Sequence, residues 1–255
     1  MCIVPEPISR FEENHSYAFL SGSNPPQTEF KPVRPNFSSQ VRLISMNHDS
    51  IVFDLDGTLW NTSEACAIAW NNVLEREAIA YRTITASDVR AVTGKPHEEC
   101  IRATFSDLTE AQINCISEAT MIEDNLIIDR LGGILYDCVL TGLDALKGRY
   151  RLFIVSNCQS GYIETFLRLN HIESWFEDIE CWGNTGQPKP ENLRRIIERN
   201  NMCSPIMIGD AEGDEAAARA CGVPFAFVEY GFGTCVAPDT RFTSFCQLTE
   251  RFLAS

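Results

Sequence analysis

Polar residues that could perform catalysis are concentrated at four points of the 255-residue chain. They are Asp54, Asp56, Gly57 and Thr58 at the first point, Ser156 and Asn157 at the second, Lys189 at the third, and Asp210, Glu212 and Asp214 at the fourth. Paired carboxylates can supply a nucleophile and a proton donor, while hydroxyl, amide and ammonium groups can bind the oxygens of a phosphoryl group. Taken singly, each point could be a turn, a helix cap or a solvated charge. Together, in this order, they favour a catalytic site.

Five short apolar runs would form the strands that position these residues. They are Ile51–Phe53, Leu152–Val155, Ile179–Trp182, Ile206–Ile208 and Phe225–Val228. Most are continuously apolar, as in parallel strands covered on both faces, and helical periods lie between them. This alternation predicts an α/β fold with a doubly wound, Rossmann-like parallel sheet, whose ligands bind at the carboxyl ends of the strands.

A long segment separates the first polar strand end from the second, far longer than a single crossover helix requires. It shows helical spacing, with Asn61 and Glu64 as an N-cap pair before one helix and a further helix over Glu110–Asp124. We therefore expect an all-helical cap domain at 63–140, inserted into an α/β core formed by 46–62 and 141–255. The cap could be a structural hairpin, or a lid that excludes water from the site.

Residues 50–234 resemble the haloacid dehalogenase superfamily in all four polar motifs. The resemblance is to its phosphatase branch with an inserted helical cap of the C1 type, similar to phosphoglycolate phosphatases. It implies that Asp54 forms an aspartyl-phosphate while Asp56 acts as general acid and then general base. It also implies that Gly57, Thr58, Ser156, Asn157 and Lys189 bind the phosphate. An aspartate at position 56 favours phosphate esters, because the dehalogenases and phosphonatases of this superfamily lack an acid there.

Several carboxylates beside an anionic substrate require a cation, and oxygen ligands without His or Cys suit Mg²⁺. The resemblance implies that Mg²⁺ binds the side chain of Asp54, the backbone carbonyl of Asp56, and Asp210. Asp214 would orient waters or Lys189 behind these ligands, and Glu212 could compete for that role. The reaction implied is Mg²⁺-dependent hydrolysis of a phosphate monoester of a small metabolite, of the phosphoglycolate or sugar phosphate type.

Within the expected cap, Lys95, His97 and Arg102 are candidates to bind a second anionic or hydroxyl group of the substrate. Solvated residues at a helix start would explain them equally well. The loop Tyr230–Gly233 resembles one that closes one side of the site, although aromatic packing is an alternative. A phosphosugar mutase would use the same core residues, and a non-catalytic binding or regulatory protein is a more remote alternative.

The formal net charge of −14 argues against nucleic acid or an anionic membrane surface as a partner. No apolar run is long enough to span a bilayer, and the N-terminus lacks the pattern of a secretory signal. The oligomeric state stays open.

The eleven cysteines show no CxxC pair or zinc spacing. They indicate reduced core thiols in a cytoplasmic protein, with a disulfide framework as the alternative. Residues 1–45, rich in proline and without periodicity, are expected to be a flexible leader outside the catalytic fold. A targeting role and a natural translation start at Met46 are further hypotheses.

Overall fold

The structure is a computed structural model that describes residues 48–254; the predictions for 1–45 and Met46 lie outside this range. Its strands are Ser50–Phe53 (β1), Trp60–Asn61 (β2), Ile134–Leu135 (β3), Arg151–Ser156 (β4), Asp178–Cys181 (β5), Pro205–Gly209 (β6), Phe225–Val228 (β7) and Thr240–Phe242 (β8). Its helices are Ser63–Arg76 (α1), Ala86–Arg90 (α2), His97–Thr104 (α3), Glu110–Leu131 (α4), Val139–Leu146 (α5), Tyr162–Leu169 (α6), Trp182–Thr185 (α7), Lys189–Arg199 (α8), Glu212–Cys221 (α9) and Phe245–Leu253 (α10).

The main sheet has the strand order β5-β4-β1-β6-β7-β8, and every pairing in it is parallel. This confirms the predicted doubly wound α/β fold and the five predicted strands. Four of the five strands have ends that differ by one residue from the predicted ones, and Trp182 begins α7 and does not end β5. The edge strand β8 was not predicted, since the Thr-Arg-Phe segment is too short and polar to stand out.

Side chains of β1 alternate between two buried apolar layers, one on each face of the sheet. Ile51 and Phe53 join one layer with residues of α5, α6 and α10, whereas Val52 joins the other with residues of α8 and α9. Coverage on both faces explains why the strand sequences are continuously apolar. The carboxyl ends of β1, β4 and β6 therefore meet at one edge, with helices on both sides.

Helices α1 to α4 lie between β2 and β3, which pair antiparallel and bracket the insertion as a two-stranded ribbon. Helix α4 begins at a capping box formed by Thr109 and Gln112 and continues to Leu131, beyond the predicted end at Asp124. The predicted Asn61–Glu64 cap is wrong. The N-cap residue of α1 is Thr62, while Oδ1 of Asn61 accepts from the Ser63 backbone N–H at 3.0 Å.

A disulfide joins Cys138, just before α5, to Cys246 in α10. The prediction of reduced core thiols is wrong for this pair. The eight other cysteines of the described range are free, but only Cys66, Cys100, Cys158 and Cys181 are buried, and Cys203 is exposed. The two helices pack closely: a Cβ on Gly142 of α5 would lie 2.3 Å from Oγ1 of Thr249 in α10. Tertiary packing thus brings together two cysteines 108 residues apart, which their sequence spacing does not reveal.

Within residues 48–254, no helix combines the length and the hydropathy needed to cross a membrane.

Candidate active site

Lys189 lies at the centre of a buried charge cluster at the carboxyl edge of the sheet. Its Nζ donates to Oδ1 of Asp54, which follows β1, at 2.5 Å, and to Oδ1 of Asp214, in the first turn of α9, at 2.6 Å. Lys189 is the first residue of α8, set between two prolines that restrict the backbone, and its side chain is 3% exposed. Residues 135 positions apart are thereby in direct contact.

Asp214 uses its second carboxylate oxygen to order the turn after β6. Oδ2 accepts from the backbone N–H groups of Asp210 and Ala211, each at 3.1 Å. A Cβ on Gly209 would lie 2.4 Å from that oxygen, so only glycine fits there. Both oxygens of Asp214 are therefore engaged by the chain itself, in keeping with the expected supporting role toward Lys189.

Asp210 is held by the loop that follows β7. Its Oδ2 accepts from the backbone N–H groups of Phe232 at 2.6 Å and Gly233 at 3.2 Å. Gly57, whose φ is +85°, and Gly231 both lie directly against this carboxylate. A Cβ on Gly57 would lie 2.3 Å from Oδ2 of Asp210. The loop Tyr230–Gly233 thus positions the Asp210 carboxylate. The loop itself is held in place by the Tyr230 hydroxyl, which donates to the Thr58 carbonyl at 2.8 Å.

Three carboxylates in this cluster could hold a metal ion. Asp54, Asp210 and Asp214 each offer an oxygen within 4.8 Å of the others. Burial, together with the negative charges of Asp214 and Asp210, raises the pKa of Asp54 well above its usual value, although Lys189 opposes this. Burial and Asp214 raise the pKa of Asp210 to about 7. One ammonium among three carboxylates leaves an excess of negative charge, and an all-oxygen donor set fits a hard divalent cation such as Mg²⁺.

Burial alone would lower the pKa of Lys189, but the carboxylates of Asp214 and Asp54 raise it above its usual value. Lys189 is therefore a permanent cation at neutral pH. It can offset negative charge on Asp54 and on a bound anion together.

Asp56 occupies a different environment from the cluster around Lys189. Its Oδ1 accepts from the hydroxyls of Thr62 at 2.9 Å and Tyr162 at 2.8 Å. Burial raises the pKa of Asp56 to about 6, although the hydrogen bonds from Tyr162 and Thr62 oppose the shift. A carboxyl group poised near neutral pH can both give and take a proton. The two hydroxyls were not predicted, since Tyr162 lies 106 residues away and carries no motif.

A cavity connects these residues with the helical insertion. The core side is lined by Asp54, Asp56, Ser156, Asn157 and Lys189, and the insertion side includes Trp70, Lys95, His97, Cys100 and Asp124. Two hydrogen bonds tie the sides together: Asn157 Nδ2 to the Gly94 carbonyl at 2.8 Å, and Asn125 Nδ2 to the Ser160 carbonyl at 3.0 Å. Asp124 and Trp70 were not predicted, because neither lies in a recognisable motif.

Two predicted residues lie away from both the cavity and the charge cluster around Lys189. Arg102 is a surface residue that pairs with Glu98 at 3.1 Å and Glu110 at 2.6 Å. Glu212 is exposed and accepts from the Thr234 hydroxyl at 3.2 Å, away from Lys189. Gly57 and Thr58 shape the turn beside Asp210 and do not line the cavity.

The comparisons with known proteins agree with this geometry. The family described as haloacid dehalogenase-like hydrolase matches residues 51–228. A phosphoglycolate phosphatase of Colwellia psychrerythraea is 28% identical over 196 residues, covering 71% of this chain and 84% of the relative. A pyrophosphatase of Bacillus velezensis is 26% identical over 187 residues, covering 71% and 83%.

A solved structure from Bacteroides fragilis, of a protein assigned as a haloacid dehalogenase-like hydrolase, superposes with a TM-score of 0.70 at 27% identity. The superposition covers 79% of this chain and 99% of the chain from Bacteroides fragilis. The match spans the charge cluster, Asp56 and the helical insertion alike. The chain therefore belongs to the haloacid dehalogenase-like hydrolase family.

Proposed function

We propose that this hydrolase is a Mg²⁺-dependent phosphatase that cleaves phosphate monoesters of small metabolites, of the phosphoglycolate or sugar phosphate type. The observation that carries the proposal is the pairing of Asp54 with Lys189 at 2.5 Å in a cavity that also holds Asp56. The names of the curated relatives support a phosphatase.

In the proposed reaction, a carboxylate oxygen of Asp54 attacks phosphorus and forms an aspartyl-phosphate as the ester P–O bond breaks. The proton of the Asp56 carboxyl group goes to the departing alkoxide oxygen. Asp56 then takes a proton from the water that attacks the phosphorus of the aspartyl-phosphate. The P–O bond to Asp54 breaks, inorganic phosphate is released, and Asp54 and the protonated Asp56 are restored. The pKa of Asp56, about 6, suits both steps.

The phosphate would be held by donors that line the cavity. Lys189 is already in contact with the nucleophile, and the Ser156 hydroxyl and the Asn157 amide lie at the end of β4. The turn at Gly57 and Thr58 would add backbone N–H groups.

Mg²⁺ would be held by the side chains of Asp54 and Asp210 and by the backbone carbonyl of Asp56. When bound, it would supply positive charge to offset the carboxylates and the phosphate. The hydrogen bonds described above support this choice, because Asp214 has both oxygens engaged. Within residues 48–254 no donor occupies Oδ2 of Asp54 or Oδ1 of Asp210.

The helices of the insertion would act as the lid, with 63–140 as the cap and 46–62 with 141–255 as the core. The contacts of Asn157 and Asn125 across the cavity support this division. A covered cavity fits a small phosphorylated metabolite and neither nucleic acid nor a membrane. A cytoplasmic location belongs to the same proposal; the eight free cysteines of the described range support it, whereas the Cys138–Cys246 disulfide does not.

The test is phosphate release from a panel of phosphorylated metabolites, with Mg²⁺ or with EDTA, by the full chain. We expect turnover that requires Mg²⁺ and falls at least about a thousandfold in Asp54→Asn, since the amide is not a nucleophile. Asp144→Asn, the same substitution at an exposed position paired with Lys147, is the matched control and should keep full activity.

Full activity in EDTA would contradict the metal role, and retained turnover in Asp54→Asn would contradict the nucleophile. Phosphoryl transfer between sugar hydroxyls with little phosphate release would identify a mutase. No turnover on any substrate would favour the non-catalytic alternative.

A further inference from the structure

His97 and Asp124 form a buried polar pair on the insertion side of the cavity. Nε2 of His97, in α3, lies 3.4 Å from Oδ2 of Asp124, in α4, and both side chains are about 95% buried. The same carboxylate oxygen accepts from Nε1 of Trp70 at 3.3 Å. Asp124 and His97 thus line the cavity together with the indole that donates to Asp124.

The hydrogen bonds around His97 determine which ring nitrogen carries the proton. The Thr120 hydroxyl donates to the Ile116 carbonyl at 2.7 Å, so its oxygen can only accept from His97 Nε2, which lies 3.1 Å away. Nε2 is therefore protonated, and in the neutral ring Nδ1 is a bare acceptor.

Two buried acceptors at this wall have no partner within residues 48–254. They are Nδ1 of His97 and Oδ1 of Asp124. A buried acceptor without a donor is costly, and at a cavity a bound ligand can supply the donor. A hydroxyl or amino group can do so, whereas an ionised carboxylate or a fully ionised phosphate group cannot.

We propose that the leaving group of the substrate carries hydroxyl or amino groups that donate to Asp124 and His97, and that this wall rejects a leaving group with a second anion. This inference rests on the proposed phosphatase function and narrows it: a polyol, sugar or amino-alcohol phosphate is favoured over phosphoglycolate or pyrophosphate. Rejection follows from two effects, because a second anion would meet the Asp124 carboxylate and would also leave both acceptors without donors.

Lys95 is the one lysine on the insertion side of the cavity, and it could attract an anion. Its side chain is exposed, however, whereas Asp124 is buried. Since water screens an exposed charge far more than a buried one, Asp124 dominates the selectivity.

The test compares two substrates that share a two-carbon skeleton, 2-hydroxyethyl phosphate and 2-phosphoglycolate, which differ in a CH₂OH against a carboxylate. We expect kcat/KM to be at least about tenfold higher for 2-hydroxyethyl phosphate in the unmodified protein. Asp124→Asn removes the charge but retains an acceptor for Trp70. It should reduce this preference by about tenfold, mainly by improving turnover of 2-phosphoglycolate.

Glu123→Gln is the matched control, since it removes the adjacent charge, which pairs with Arg76 outside the cavity. It should leave the ratio unchanged. A preference for 2-phosphoglycolate in the unmodified protein overturns the inference, even if Asp124→Asn does not fold. An unchanged ratio in a folded Asp124→Asn also overturns it while leaving the phosphatase assignment intact. If the protein hydrolyses none of the three compounds, 2-hydroxyethyl phosphate, 2-phosphoglycolate and 4-nitrophenyl phosphate, then both this inference and the proposed phosphatase function are overturned.

Discussion

Two buried groups of side chains, here called the floor and the roof, are built on opposite principles. Asp54 and Lys189 of the floor line the cavity on the core side, and Trp70, His97 and Asp124 of the roof line it on the insertion side. The floor, formed by Asp54, Lys189, Asp210 and Asp214, is a dense charge cluster whose ammonium contacts two carboxylates at 2.5 and 2.6 Å. The roof, formed by Trp70, His97, Thr120 and Asp124, has fewer charges and two buried acceptors without partners. In the floor, Oδ2 of Asp54 and Oδ1 of Asp210 are open to a cation, whereas the roof lacks hydrogen-bond donors that a ligand could bring. Under the two proposals above, the core determines the reaction and the insertion determines the choice of leaving group.

The largest effect, on the free energy of unfolding, is expected when the Lys189 ammonium is removed from the floor. Lys189→Met leaves buried carboxylates uncompensated, so the free energy of unfolding in EDTA at neutral pH should fall by about 3–5 kcal/mol. Lys147→Met is the matched control: it removes a surface ion pair with Asp144 and a contact with the Trp175 ring, and should cost no more than about 1 kcal/mol. Urea denaturation of both variants provides the measurement. Equal losses would show that the floor is not a cooperative charge cluster.

The next largest effect, on kcat/KM, is expected at Asp56, which lines the cavity. Asp56→Asn removes the proton that the leaving group needs, so kcat/KM for alkyl phosphates should fall by about 10²- to 10⁴-fold. The loss for 4-nitrophenyl phosphate should be much smaller, because nitrophenolate leaves without a proton. Steady-state kinetics on both esters give the comparison, and equal losses would remove the general-acid assignment.

The pH profile supplies a second readout of the same residue. With a pKa of about 6, the Asp56 carboxyl loses its proton as the pH rises through that value. The kcat/KM of alkyl phosphates should therefore decline above about pH 6, and that of aryl phosphates should not show this limb. A shared decline would point to a group other than Asp56.

The smallest effect is expected at Arg102, which the sequence placed beside His97 as a substrate ligand. Arg102→Gln should change kcat/KM by less than about twofold, because its partners are the surface carboxylates Glu98 and Glu110. Kinetics on the preferred substrate test this. A large increase in KM would show that α3 turns its outer face toward the substrate in the working enzyme.

The floor could be predicted from the sequence because parallel strands bring their carboxyl ends to one edge. Asp54, Ser156 and Asp210 each stand at a strand end, so their convergence follows from the strand pattern alone. Their hydrogen-bond partners in loops, such as the backbone N–H of Phe232, depend on tertiary packing and could not be predicted from the sequence.

The roof could not be predicted in the same way. Asp124 stands within α4, 54 residues from Trp70, where an isolated acid looks like a solvated helix residue. The prediction for Arg102 failed because residues close in sequence can lie on different faces of a helix. Arg102 is five residues after His97 in α3, which rotates its side chain by roughly 140° around the helix axis. His97 faces the cavity and Arg102 faces water for that reason.

The disulfide between Cys138 and Cys246 gives the core an unusual covalent topology. It closes a ring that contains β4 to β8, and β1, which leads to Asp54, is the one strand of the main sheet outside it. Since β1 pairs with β4 on one side and β6 on the other, Asp54 follows a strand inserted into the middle of this ring. A protease cut anywhere within the ring would therefore leave a single covalent molecule, and β1 would separate from the severed piece only after reduction.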